Sequence, residues 1–305
     1  MRDSFVRSLL ELAKADKNVE LITGDLGFGV LKPFWETVPD QFLNAGIAEQ
    51  NMTSMAAGMA LEGKTVFTYS IGNFPTLRCL EQIRNDCAYH GANVNIVCVG
   101  GGFVYGSLGV SHHATEDLAV MRSLPDVAVF APADKVEAEA VTRAAAVYPG
   151  TCYIRLGRGG ETIARETIEN FEVGKALPVC QGSRVAIFST GDIYGEVAEA
   201  VQLLRQQGVE PAVYTFPTVK PLDAQRVCAC AGEFELIVTC EEHNILGGLG
   251  SAVAEVLAEN PGRAKLLRLG ITGSYCTEVG DQRHLRGLYG LTGSQIAQRI
   301  LKELV

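Results

Sequence analysis

Residues 42–61 read Phe42-Leu43-Asn44-Ala45-Gly46-Ile47-Ala48-Glu49-Gln50-Asn51-Met52-Thr53-Ser54-Met55-Ala56-Ala57-Gly58-Met59-Ala60-Leu61. The first four residues form a short extended apolar run, Gly46 breaks it, and a helix of small and apolar residues is predicted from Glu49 to Leu61. An acid in the first turn of a helix is favoured by the helix dipole, so a plain helix-start carboxylate is one reading of Glu49. The second reading starts from the helix itself. One so apolar is expected to be buried on most sides, and a carboxylate withdrawn from water there has a raised pKa and is able to share a proton with a ring nitrogen. Strand, glycine, acid and buried helix together form a parallel α/β junction. Such folds hold their ligands at the carboxyl ends of the strands.

The same alternation extends outward from this junction. Helical spacing over 5–15 leads into an extended run over 19–23 that ends at Gly24-Asp25. Extended runs follow over 65–69, 94–99, 127–130 and 152–155, with helical patterns over 77–89 and 135–147 and the cluster Gly100-Gly101-Gly102 after the second run. The polar segment 159–172 is the best linker candidate. Beyond it lie extended runs at 185–189, 212–216, 236–239 and 266–269 and helical patterns at 197–206, 251–258 and 294–304. The fold class implied is α/β, with two doubly wound domains over 1–170 and 171–305. Glu49, Gly100–Gly102 and Arg158 all fall near strand ends, where one crevice is expected to collect them.

Composition narrows the function classes. The chain has 305 residues, of which 47% are hydrophobic and 20% charged, enough for two well-packed cores. Met1-Arg2-Asp3-Ser4 has no apolar stretch after its basic residue, so no signal peptide is expected. The apolar runs are too short and too interrupted for a membrane span. Nine cysteines, an odd number, are scattered, and Cys228-Ala229-Cys230 lacks the second pair that a zinc site needs. Reduced thiols in a cytoplasmic protein are the expectation. Against 26 Lys and Arg stand 35 Asp and Glu, a net charge of −9 with no basic stripe. Neither nucleic acid nor an anionic membrane is expected as a partner.

The run Gly46-Ile47-Ala48-Glu49-Gln50-Asn51-Met52 resembles the signature of the thiamine-diphosphate glutamate in the transketolase superfamily, which includes the deoxyxylulose-phosphate synthases. Further segments match in the same order along nearly the whole chain. The resemblance implies a pyrimidine-binding domain followed by a transketolase C-terminal domain. It also implies transfer of a two-carbon ketol unit from a ketose phosphate to an aldose. Glu49 would hydrogen-bond the aminopyrimidine of the cofactor. Gly24-Asp25-Leu26 resembles the family's Ala-Asp-Leu and brings Asp25 to the cofactor. Tyr69-Ser70-Ile71-Gly72-Asn73-Phe74 resembles Thr-Phe-Leu-x-Phe, whose aromatics pack on the aminopyrimidine; Phe74 keeps the second aromatic and Ile71 replaces the first. Ser111-His112-His113 resembles Thr-His-Gln/His, which implies that His112 bonds the substrate near C1. Ile154-Arg155-Leu156-Gly157-Arg158-Gly159 is similar to a run whose arginine binds the substrate phosphate through its fixed fork of donors. Arg158 aligns best and Arg155 second, with a surface or interdomain ion pair as the alternative for each. The run from Cys240 to Ser251 resembles a segment of the synthases and split transketolases and is expected to be structural, at a domain and subunit contact.

Departures from the pattern carry information too. The family binds the cofactor's diphosphate through Mg²⁺ with Gly-Asp-Gly and a later Asn, and this sequence has no Gly-Asp-Gly. That half of the site is expected from an N-terminal partner subunit, this chain also associating with itself through both domains. Ser107-Leu108-Gly109-Val110-Ser111-His112 stands where transketolases carry Gly-x-Asp-Gly-Pro-Thr-His. Leu108 thus replaces an acid that contacts donor hydroxyls, and Gly100 replaces a His of the phosphate region. A hydroxyl site without its acceptor cannot select that hydroxyl. The rival readings are an E1 β-type subunit of a 2-oxo acid dehydrogenase, whose Ser-Gly-Gly-Gln and His-Ser-Gln runs are absent, a non-catalytic regulatory subunit, which the retained Glu49, Phe74 and His112 oppose, and a pyruvate-condensing synthase, which the Arg155–Arg158 run fits.

Overall fold

Strand β1 (Val19–Thr23) is buried at all five positions, as a central strand of a sheet covered on both faces must be. In the computed structural model, which describes residues 1–304, it lies between β2 (Phe42–Asn44) and β3 (Thr65–Ile71), parallel to both, with Leu21 opposite Phe42 and Ile22 opposite Thr68. Next come β4 (Val94–Val99), β5 (Val127–Phe130) and β6 (Thr151–Leu156), in the spatial order β2-β1-β3-β4-β6-β5. Helix Arg2–Ala15 buries Phe5, Val6, Leu9 and Ala13 on one face of this sheet beside helix Lys135–Val147. Asp134 caps the latter, its Oδ1 accepting from the N–H groups of Val136 and Glu137. Helix Glu49–Leu61 packs on the opposite face.

The second sheet comprises β7 (Leu177–Cys180), β8 (Val185–Thr190), β9 (Ala212–Thr215), β11 (Leu236–Asn244) and β12 (Lys265–Ile271), in the order β12-β11-β8-β9-β7. The intervening β10 (Thr218–Lys220) belongs elsewhere: it pairs antiparallel with β5 and closes the first sheet as its seventh strand. The division at 170 is therefore incomplete, because the second half lends a strand to the first. Pro217, which has no N–H to donate, separates β10 from β9 and releases the chain to cross over.

Other expectations are refined. The helix over 77–89 is broken into a 3₁₀ turn Leu77–Cys79, an α turn Leu80–Gln82 and a wide π turn Ile83–Ala88. The strand over 236–239 runs on to Asn244. The linker 159–172 has no regular structure yet is tied down: Glu161 takes the N-terminal ammonium of Met1 at 2.8 Å, Ala164 N donates to Asp134 Oδ2 at 2.6 Å, and Arg165 pairs with buried Glu137. Helix Glu49–Leu61 buries one face only, through Glu49, Met52, Thr53, Ala56 and Ala57, and leaves Leu61 exposed. All nine cysteines are free, and most are buried. No helix among the described residues is long and apolar enough to cross a membrane.

His243 sits on the seam between the domains, fully buried. Its Nε2 accepts the Ala119 N–H at 3.2 Å, and burial lowers its pKa to about 4, although Glu241 lies 3.7 Å away. A ring nitrogen that accepts a backbone N–H carries no proton, so this histidine is a neutral joint between domains.

Candidate active site

The carboxyl ends of β1 and β2 meet the start of helix Glu49–Leu61. Asp25, just past β1, takes a left-handed conformation with φ of +58°. Its backbone N–H donates to Asn44 Oδ1 at 3.1 Å, and Asn44 Nδ2 returns a bond to Asp25 Oδ1 at 3.0 Å. Asn44 Oδ1 also accepts from Gly46 N at 3.0 Å, so one side chain fixes both strand ends. A Cβ at Gly24 would lie 3.4 Å from Glu49 Cγ, so the glycine leaves room for that carboxylate.

Glu49 is 3% exposed, and its Oε2 accepts from Arg78 Nη1 at 2.7 Å. The same guanidinium lies over the Phe74 ring, its carbon 4.5 Å from the centroid. Phe74 in turn meets the His112 ring edge-on at 5.2 Å and 70°, and Ser111 Oγ is 3.0 Å from His112 Nδ1. Glu49, Arg78, Phe74 and His112 thus form one continuous run of contacts. Three of the four were expected from the sequence. Arg78 was not, since an arginine one helical turn past Phe74 carries no mark that separates it from a solvated charge.

Arg78 also tests the site. Its guanidinium is flat and rich in nitrogen, donates to Glu49 and stacks on Phe74. A cofactor aminopyrimidine would have to make those same two contacts, so the residues present fit it. Ile71 ends β3 beside them, half-buried. Asn73, next to Phe74, keeps a buried Oδ1 with no partner, a spare acceptor on the same loop. No group of three or more His, Cys, Asp or Glu among the described residues is placed to hold a metal ion.

The other residues expected at the site lie on the loop after β4 and past the end of β6. Gly100 has φ of +92°, and a Cβ there would run into the Tyr105 ring. Tyr105 thus fills the space that a side chain at 100 would use. Exposed Arg158 lies beyond it, the guanidinium carbon 5.9 Å from the tyrosine centroid, free to take an anion. Leu108 is 54% exposed and Val110 53%, giving the loop that bears His112 an apolar outer surface. His113 points the other way. It is buried edge-on to Phe103 at 5.1 Å, and burial lowers its pKa.

Arg155 does not belong to the site. It is 4% exposed and pairs with Asp117 at 3.1 Å. Its Nη2 donates to the carbonyls of Ala114 at 2.9 Å and Glu242 at 2.8 Å. With the guanidinium committed and Gly101 lying over it, no substrate phosphate reaches it. Arg155 thus makes a buried ion pair inside the first domain, neither a surface pair nor one between domains, and its link to the second domain is the bond to the Glu242 carbonyl.

Comparison with known proteins places both halves of the chain. Residues 1–160 match the model of the transketolase pyrimidine-binding domain, and residues 174–296 match that of the transketolase C-terminal domain. The chain belongs to the transketolase family. It is 38% identical over 307 residues to a putative transketolase C-terminal section from Methanocaldococcus jannaschii, covering 100% of this chain and 96% of that one. It is 34% identical to a subunit of an apulose-4-phosphate transketolase from Phocaeicola vulgatus, covering 99% and 96%. With a 6-deoxy-6-sulfo-D-fructose transketolase subunit from a Clostridium species it shares 34% identity over 98% and 92%. Among solved structures, a split-gene transketolase in an inactive tetramer of its beta chain superposes with a TM-score of 0.88 at 33% identity, covering 99% and 96%. Transketolases are thiamine-diphosphate enzymes.

Proposed function

We propose that this chain is the C-terminal subunit of a two-chain transketolase that moves a two-carbon ketol unit from a ketose to an aldose. The observation that carries the proposal is the buried carboxylate of Glu49 and the face of Phe74 sharing one flat nitrogenous group beside His112. Thiamine diphosphate, when bound, supplies the electron sink for breaking and forming the carbon–carbon bond. Glu49 would bond the ring nitrogen of the aminopyrimidine, with Phe74 and Ile71 flanking the ring and Asp25 at the rim. His112 would bond the sugar close to the reacting carbon. Arg158 would hold an anionic tail, phosphate or sulfonate, at the far end. Mg²⁺ and the diphosphate are assigned to a partner subunit with Gly-Asp-Gly and Asn. The open face of helix Glu49–Leu61 carries Gln50, Asn51, Ser54 and Gly58, with exposed Ile47 just before the helix, and such a subunit would cover this face.

Reconstitution tests the proposal. Alone, the chain is expected to show no ketol transfer and only weak thiamine diphosphate binding. Mixed with a subunit bearing Gly-Asp-Gly, it is expected to gain Mg²⁺-dependent binding and turnover, in a complex with two copies of each chain. Tight, Mg²⁺-dependent binding by the lone chain in calorimetry, or a reconstituted complex that releases acyl groups to lipoamide instead, would overturn it.

Arg78 provides a second check. A ring that takes Glu49 and Phe74 must displace the guanidinium, so Arg78→Ala is expected to tighten thiamine diphosphate binding by the complex. The gain is up to about fivefold, because a half-exposed ion pair is worth at most about 1 kcal/mol. Titration of the complex with cofactor reads this directly, and unchanged or weaker binding would mean that Arg78 stays in place when the cofactor enters.

A further inference from the structure

The segment Glu241-Glu242-His243-Asn244 belongs to β11 of the second domain, yet its contacts converge on the loop of the first domain that carries Leu108 and His112. That loop is closed at its neck by an antiparallel bridge: Gly102 N donates to Ala114 O at 2.7 Å and Ala114 N to Gly102 O at 3.0 Å. Both sides of the neck are gripped from β11. On one side, the Phe103 N–H donates to Glu242 Oε1, and Gly102 has no side chain because a Cβ there would strike the Glu242 carboxylate. On the other, Asn244 N donates to Thr115 O at 2.8 Å, and Arg155 joins the Ala114 carbonyl to that of Glu242.

The body of the loop rests on the second domain as well. Phe103 stacks on Tyr289 at 5.6 Å. A Cβ on Gly106 would come within 2.7 Å of the Gly280 carbonyl and against Leu285. Glu242 is itself fixed. It is 1% exposed, receives Gln282 Nε2 at 3.0 Å on both oxygens, and pairs with Arg286, which also reaches Asp192 at 3.1 Å. A carboxylate held by two side chains and spending one oxygen on a loop N–H sets the position of that N–H firmly.

From these contacts we infer that Glu242 is a positioning residue: through Phe103 N–H it fixes the 103–113 loop, and with it His112, so the second domain governs how well the sugar is held. The inference rests on the proposed transketolase reading only for its kinetic arm. Glu49 lies outside the loop and Phe74 meets it only at the His112 ring edge, so cofactor binding is expected to change less than donor binding when Glu242 is altered.

The experiment compares the full chain with Glu242→Gln, which keeps the volume and an acceptor oxygen but loses the charge matched to Arg286. A second variant, Gly106→Ala, lifts the loop from Gly280 and leaves the ion pairs alone. Hydrogen–deuterium exchange with peptide-level mass spectrometry is expected to show amides of 103–113 exchanging about tenfold or more faster in both variants, as when one charge-assisted bond is lost. Exchange in helix Glu49–Leu61 is expected to stay as in the native chain. In the reconstituted complex, assayed with whichever ketose phosphate the native form turns over best, the donor KM is expected to rise by about tenfold with a smaller change in cofactor Kd. Loop amides exchanging at native rates, faster exchange spread evenly over the chain, or a loosened loop with an unchanged donor KM would each overturn the inference. A native complex that turns over no ketose would count against the functional reading, and the exchange result would still decide this one.

Discussion

Glu49→Gln is expected to lower turnover by the reconstituted complex by about a hundredfold or more, the worth of a well-placed acid–base group, while leaving fold and partner binding intact. The amide fills the same volume, and the backbone carbonyl that accepts Thr53 Oγ1 at 2.9 Å is untouched, so the helix start survives. A neutral amide nonetheless cannot shift charge onto a ring nitrogen as a carboxylate can. Its bond to Arg78 also weakens, because the 2.7 Å contact draws on opposite charges. Two measurements separate the effects. Sedimentation should show an unchanged complex, and exchange of the cofactor's C2 proton, followed by NMR in deuterated buffer, should slow in step with turnover. Native exchange in the variant would remove Glu49 from its assigned role.

How much was legible in the sequence depended on the range of the signal. The junction 42–61 announced its strand, its glycine and its helix because each is a local pattern, and Glu49–Leu61 is the helix observed. Strand β10 went unread because three residues between Pro217 and Pro221 carry no periodicity, and only the edge of β5 gives them a partner. Burial of this helix was misjudged: it was expected on most sides, and only the face of Glu49, Met52, Thr53, Ala56 and Ala57 is buried. Of the two arginines in 154–159, alternation along the strand points Arg155 into the seam, where it meets Asp117 from a distant part of the chain. Arg158, beyond the strand end, stays exposed. Arg78 and Tyr105 were missed for one reason: each meets a neighbour that no local pattern ties to it, respectively Glu49 and Gly100. Glu242 was read only as part of a structural run at a domain contact, and its partner, the Phe103 N–H, carries no sequence signal.

Leu108→Asp is expected to raise kcat/KM for xylulose 5-phosphate by about ten- to a hundredfold, the value of one charged hydrogen-bond partner, and to lower it for the donor the native enzyme prefers. Leu108 closes the short turn Gly106–Leu108 and is more than half exposed, with Val110 exposed two residues on, so the loop presents methyl groups where related enzymes present an acid. An aspartate at that point needs no repacking, because the side chain it replaces touches mostly solvent, and Gly109 at φ of +77° already makes the turn. The phosphate end is altered in the same sense. Tyr105 occupies the space of a side chain at 100 and leaves Arg158 as the exposed cation for an anionic tail. On the proposed function, these two departures would suit a donor that keeps its tail charge but lacks, or turns away, one hydroxyl. The measurement is a donor panel of ketose phosphates and modified ketoses, run on native and Leu108→Asp complexes side by side. If the native complex already uses xylulose 5-phosphate as its best donor, or if the substitution leaves the ranking unchanged, then residues outside this loop read the sugar.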